Sequence, residues 1–546
     1  MAMGRRRKRV RQDGLWTPTA ALPVGASHPF YQRLNQILDE KKFDEYVETI
    51  CEDFYAGEVG RPGLSPGIYF RLLMVGYFEG IDSERGIAWR ASDSLSIRSF
   101  VRIALDESVP DHSTISRTRR LMDVETHQAV FQWVLGVLAE KKLLKGTTIG
   151  VDATTLEANA ALRSIVRRDT GESYEEFLTR LAKESGIETP TREQLTKLDR
   201  KRPKKGSNDD WTHPHDPDAR ITKMKDGRTH LAHKAEHAVD METGAIVAVT
   251  LHGADVGDTA TIQETVAEAG ERIAMVVADA GSDEVVNEVS ADGPREVVTD
   301  KGYHSRAVVS ELTESGVRTY CSEPNRGRQR WPEQEREQQA VYANRRRIRG
   351  ARGLLLLRQR GEKLERWNQH LYDRGGMRRV HLRGRENILK RLVVHSGAAN
   401  LGLLMRKLFG KGTPRALAGA RRVILSAAKA STGLLSIQAM LIRKIGGSIA
   451  QAKTTQMILA ARENGQFHLA LLVASPVTED PVRAREKNVW SGLWDCRTHG
   501  YGVWTLGSIA INCRGDIVIC LAGSDAAVNI GISADEGQIN PSERAV

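Results

Sequence analysis

Short apolar runs of strand length, each closed by an acid, constrain this chain most. Thr147-Thr-Ile-Gly-Val-Asp152 reads as a buried strand carrying a carboxylate, and Arg295-Glu-Val-Val-Thr-Asp300 repeats the pattern. A third run, Ile273 to Asp279, has the same texture and is expected to be a strand as well. A carboxylate buried at a strand end costs several kcal/mol unless a cation compensates it. Such residues also cap helices and form turns, so the pattern alone leaves both readings open.

The rest of the chain surrounds these runs with helices, giving an α/β class with an all-α region ahead of it. Residues 1–27 are expected to form a basic disordered arm and 28–145 a helical unit. Leu64-Ser65-Pro66 looks like an N-cap with proline in the first turn, and Gly80 closes that helix. Residues of about 160–228 are polar and read as an insertion. Leu231–Val239 and Ala245–Leu251 read as a hairpin around the Asp240–Gly244 turn. Helices are expected at about 258–273, 305–314, 354–371 and 388–408, and a strand at 317–321. Residues 146–420 would then be one α/β domain, with 421–546 a region of changed composition and unknown role.

Charge narrows the function. The chain carries 80 Lys+Arg against 69 Asp+Glu, a net +11. Residues 345–391 alone hold 16 Lys/Arg and 4 Asp/Glu, a local +12 that exceeds the total. Solvated helix faces mix both signs, whereas a one-signed stretch suits a polyanion such as nucleic acid. No window has the roughly 18 uninterrupted apolar residues of a membrane helix, and five cysteines without a CxxC pair argue against a disulfide framework or a cysteine-rich zinc site. A cytoplasmic, DNA-associated protein is expected.

Chemistry concentrates on three carboxylates. Asp152 and Asp300 end strands, and Glu365 lies on an arginine-rich helix beside Glu362. Three converging carboxylates need divalent metal to ionise together, and Mg2+ leaves coordination positions for phosphate oxygens. His233-Lys-Ala-Glu236-His237 fits an HxxEH zinc pattern, but that chemistry needs a helix and this segment reads as a strand. In Pro110-Asp-His-Ser-Thr-Ile-Ser-Arg117-Thr-Arg-Arg120, Asp111 or Ser113 can cap a helix presenting Arg117 and Arg120. It reads equally as a recognition helix or as a basic helix that only packs.

Several ordered motifs carry a family resemblance over roughly 28–420. Gly60-Arg-Pro-Gly-Leu-Ser-Pro, the Ser83-Glu-Arg run and Pro110-Asp-His-Ser-Thr-Ile-Ser-Arg resemble the N-terminal domain of InsH-type transposases of bacterial insertion sequences. Gly150-Val-Asp-Ala-Thr, Ala235-Glu-His-Ala-Val-Asp, Thr299-Asp-Lys-Gly-Tyr-His-Ser and Leu364-Glu-Arg are similar to catalytic motifs of that DDE family. Gly375-Gly-Met-Arg-Arg, Asn400-Leu-Gly-Leu-Leu-Met-Arg and Gly412-Thr-Pro-Arg extend the match.

The resemblance implies an RNase H-like catalytic domain holding two Mg2+ ions, for which Mn2+ can substitute. It implies binding of terminal inverted repeats, metal-dependent strand cleavage and strand transfer, and a homodimer on double-stranded DNA in the bacterial nucleoid. The catalytic and metal-binding residues would be Asp152, Asp300 and Glu365, with Asp279 a rival to Asp300 and Glu362 a rival to Glu365. Arg117, Arg120, Lys301, Tyr303, Arg358, Arg360, Arg366, Arg378 and Arg379 would face DNA. The alternative is a catalytically inactive, transposase-derived DNA-binding protein or repressor.

Overall fold

The computed structural model describes residues 28–56, 63–202, 206–224, 227–280, 288–327 and 329–416, together with five strands of the C-terminal region. The expected arm, residues 1–27, lies outside the described residues.

Seven helices open the structure: α1 Pro29–Glu40, α2 Phe43–Cys51, α3 Pro66–Glu79, α4 Glu84–Asp93, α5 Leu95–Val101, α6 His112–Leu121 and α7 Val124–Glu140. Their ends follow local chemistry. Pro66 begins α3 and Gly80, at φ 68°, ends it; Asp111 caps α6 by accepting from the Ser113 amide.

A mixed sheet follows. Strand β1 Thr148–Glu157 leads into the insertion, which folds more than its polarity suggests. It contains β2 Val166–Arg167, α8 Tyr174–Glu184, α9 Arg192–Lys201, β3 Trp211–Thr212 and β4 Arg220–Lys223. Both helices carry capping boxes, and Ile165, Trp211 and Ala219 close a small separate cluster with Ala158 and Leu231. The insertion is therefore an ordered satellite.

The hairpin β5 Thr229–Asp240 and β6 Ile246–Gly253 is followed by α10 Asp258–Ala280, then β7 Glu296–Thr299, α11 Arg306–Glu314 and β8 Arg318–Cys321. The central order is β5-β1-β7-β8, with β4 and β6 both pairing with β5. Strands β1 and β5 are antiparallel, while β7 runs parallel to β1 and β8 parallel to β7.

One expected strand is corrected. Ile273 to Asp279 completes α10, because nothing in Glu-Arg-Ile-Ala-Met-Val-Val-Ala breaks a helix and Ile273 and Val276 bury at helical spacing. Asp279 is thus an exposed residue of a last helical turn.

Helices α12 Glu335–Arg349, α13 Ala351–Asn368 and α14 Arg385–Phe409 complete this unit, with a π-helical turn, Gln369–Arg374, after α13. The described residues up to Ala416 belong to one compact unit with one main hydrophobic core shared by the N-terminal helices and the sheet. In α14, Asn400 bonds both the N–H and C=O of Ile246 at 2.9 and 2.8 Å, while Lys390 donates to the Arg119 carbonyl and Arg391 to that of Ile81. The second unit shows strands β9 Thr455–Glu463 and β10 Gln466–Ala474, paired with each other, and β11 Leu506–Ile511, β12 Ile517–Leu521 and β13 Ala527–Ile530 in a separate sheet. Among the described residues no helix is long and apolar enough to cross a membrane.

Candidate active site

Strand pairing frames the first two candidates. Thr148, Ile149 and Gly150 of β1 pair with Glu296, Val297 and Val298 of β7. Beyond this ladder β1 runs on through Asp152, whereas β7 ends at Thr299 and Asp300 opens the turn that follows. Asp300 turns the chain by accepting the Gly302 amide at 2.7 Å, so its expected capping role and its place at the strand end coexist.

Helix α13 lies across this point. Asn368 Nδ2 donates to Asp152 Oδ2 at 2.9 Å, and the Arg360 guanidinium stands 3.8 Å from Oδ1. Between them on the same face, at four-residue spacing, Leu364 is buried. The helix approaches closely because Gly150 has no side chain; a Cβ there would come within 2.7 Å of Leu364 and 2.6 Å of Met241. Glu365, one residue beyond Leu364, is exposed, as is Glu362, which pairs with Arg366 at 3.0 Å. The structure places Arg360 and Asn368, rather than Glu365, at Asp152, while Asp300 follows the end of the neighbouring strand β7.

Among the described residues, no group of three or more His, Cys, Asp or Glu side chains is arranged to hold a metal ion. Asp152 is not at a strand end as expected, because β1 continues to Glu157, but it and Asp300, just past β7, have suitable donor chemistry. Mg2+ is usually held by one or two carboxylates and keeps its remaining positions for water and phosphate oxygens. Arg360 supplies the compensating positive charge at Asp152.

The expected DNA-facing residues separate into two groups. Arg117, Arg120, Lys301, Arg358, Arg366 and Arg379 are exposed. Tyr303 is 1 % exposed and donates to Glu236 Oε1 at 2.8 Å, so its hydroxyl anchors the core. Arg378 is half-buried, bonding Asp373 at 2.9 Å and the Thr154 hydroxyl at 3.0 Å. Arg360 faces Asp152.

Sequence reasoning missed two features. One is Asn368; its four-residue spacing from Leu364 and Arg360 was a legible signal. The other is a sealed polar network on the opposite sheet face. There Glu236 accepts from Thr261 at 2.8 Å and Tyr303 at 2.8 Å, and also from Thr265. Lys234 pairs with Asp258 at 2.7 Å. Burial pushes the Glu236 carboxyl up from its ordinary range, against the effect of these donors.

The HxxEH residues lie on β5, as their position before a turn predicts. His233 meets Asp216 at 3.2 Å and His237 meets the Tyr372 hydroxyl at 2.8 Å, while Glu236 points to the other face. Burial pushes His237 down to about 3. The three groups do not converge.

Residues 21–121 match the family model of a transposase domain, DUF772. The matched span takes in α1 to α6, and so falls on the helical unit that includes Arg117 and Arg120. No curated protein matches the chain. A solved pre-cleavage Mos1 transpososome aligns at 9 % identity over 64 % of this chain and 98 % of that one, with a TM-score of 0.17, too low to inform the fold.

Proposed function

We propose that this protein is a transposase of the DDE type, with an InsH-type helical unit that grips the inverted repeats of an insertion sequence and an RNase H-like sheet that cuts them. What supports the reading is that β1, which carries Asp152, pairs in parallel with β7, which leads into Asp300, in a chain whose helical unit matches a transposase domain. The exposed arginines of α6 and α13 have the charge to hold duplex phosphates beside those carboxylates. A homodimer on DNA follows from the need to handle two ends together.

In this reading Asp152 and Asp300 hold divalent metal, with Glu365 reaching the site after a change at α13. Mg2+ (or Mn2+), when bound, activates an attacking oxygen and stabilises a leaving one. Asn368 orients Asp152 through its amide, and Arg360 exchanges Asp152 for a nearby phosphate. Leu364 and Gly150 fix how closely the helix approaches the strand.

A second reading, a DNA-binding protein or repressor without catalysis, draws on the same contacts. Arg360 and Asn368 already satisfy Asp152, and Glu365 is exposed. Mg2+-dependent cleavage of end-containing DNA decides between them. Wild type should cut, with cleavage lost in Asp152→Ala, Asp300→Ala and Glu365→Ala while duplex binding persists. Duplex binding with no cleavage by wild type would favour the repressor. Undiminished cleavage by Asp300→Ala would overturn the site.

A further inference from the structure

A cavity of about 390 Å³ opens where α3, the π-helical turn and the end of α14 meet, lined by Tyr77, His370, Arg374, Arg406, Lys411 and Arg415 among others. Four of these are cations, and no carboxylate lines the cavity. Among the described residues none of the four makes an ion pair. The chain after α14 begins offers little relief, since no Asp or Glu occurs between Asn387 and Arg462.

The cluster is built into the fold. Arg415 Nε donates to the Phe78 carbonyl at 3.2 Å, and its terminal nitrogen to that of Arg374 at 2.7 Å. Arg406 lies against Gly412, where a Cβ would come within 3.0 Å of its guanidinium. His370 stays neutral, pushed down to about 4 by burial and then by Arg406, Arg374, Arg366 and Arg415. It therefore adds a hydrogen-bonding ring without a fifth charge.

Four neighbouring cations repel one another, and an anion held among them relieves that repulsion. Arginine's planar fork matches phosphate oxygens in pairs, which a spherical ammonium cannot do. We propose that this cavity binds a phosphate group through Arg374, Arg406, Lys411 and Arg415. A phosphodiester of a DNA strand and free inorganic phosphate share that chemistry. The inference goes beyond strand cleavage and requires neither metal nor an active Asp152 site.

The test uses the full chain without metal, as wild type, Arg406→Gln/Lys411→Gln and Lys411→Gln. One arm measures thermal unfolding with inorganic phosphate against matched chloride. The other measures binding of a labelled duplex of arbitrary sequence over a salt series. If the source is DNA, the double variant loses affinity about tenfold and the salt slope falls by about 1, with the single variant showing part of both effects. If the source is free phosphate, it raises the wild-type Tm, less so that of Lys411→Gln, and duplex binding is unchanged.

Either pattern upholds the pocket and identifies its ligand. Equal responses of wild type and Lys411→Gln in both arms would overturn it, even were the double variant to misfold. Asp300→Ala should behave as wild type in both arms. Failure of the pocket and failure of the cleavage reading are therefore separately visible.

Discussion

Asp152 and Glu236 are carboxylates on adjacent strands, one register step apart, yet they live in opposite chemical worlds. Asp152 pairs across the ladder with His237, and Ala153 with Glu236, so the two acids face opposite sides of the sheet. Glu236 is fully buried and takes three hydroxyl hydrogen bonds. Asp152 is 19 % exposed, with an amide and a guanidinium at its oxygens. A sealed, fully satisfied carboxylate holds structure together; a half-open one beside a detachable cation is available for exchange.

The strongest way to break this contrast is truncation. Glu236→Ala leaves the Thr261, Thr265 and Tyr303 hydroxyls without their buried acceptor and should cost about 3–5 kcal/mol in urea unfolding. Asp152→Ala should cost under about 1 kcal/mol while removing cleavage. Equal destabilisation by the two would erase the distinction.

The next effect is pH-dependent. His237 is neutral when folded, with its pKa pushed down to about 3 from an unfolded value of 6.5. Below pH 6.5 the unfolded chain takes a proton that the folded chain refuses. Stability therefore falls with pH, by about 2 kcal/mol at pH 5 from this residue alone, and continues to fall until about pH 3. His237→Gln should flatten that part of the urea-derived profile, and Asp152→Ala should leave it in place.

Arg360→Ala should give the smallest change in stability, under about 0.5 kcal/mol, since the pair is long and reaches solvent. It should, however, strengthen Mg2+ binding, read as a larger Mg2+-induced rise in Tm than wild type shows. A weaker rise would mean that Arg360 supports the carboxylate rather than competing for it.

Much of this site was legible before any coordinates. Strand β1 runs past Asp152 to Glu157, but the strand before Asp300, the β5–β6 hairpin and the helix carrying Glu365 follow from periodicity and turn residues. The α13 orientation did not. That neither Glu362 nor Glu365 faces inward depends on the burial of Leu364 and Trp367, a tertiary matter that exposed arginines obscure. The strand expected at 273–279 failed because a short apolar run has the same composition inside a helix as inside a sheet, and only the absence of a breaker before it distinguishes them. The Glu236 network was hidden for a different reason: its partners come from β5, α10 and the turn after β7, far apart in sequence.

Helix α14 carries one last consequence. It threads between the N-terminal helices and β6, with Asn387 bonding Arg119 of α6 at one end of the helix and Asn400 bonding the Ile246 backbone further along. One helix thus joins α6 to the β6 side of the sheet. Were a duplex to rest on α6, this helix would hold it at a set spacing from the sheet, like work held in a jig. A cut, where one is made, would fall a fixed number of base pairs from the gripped sequence.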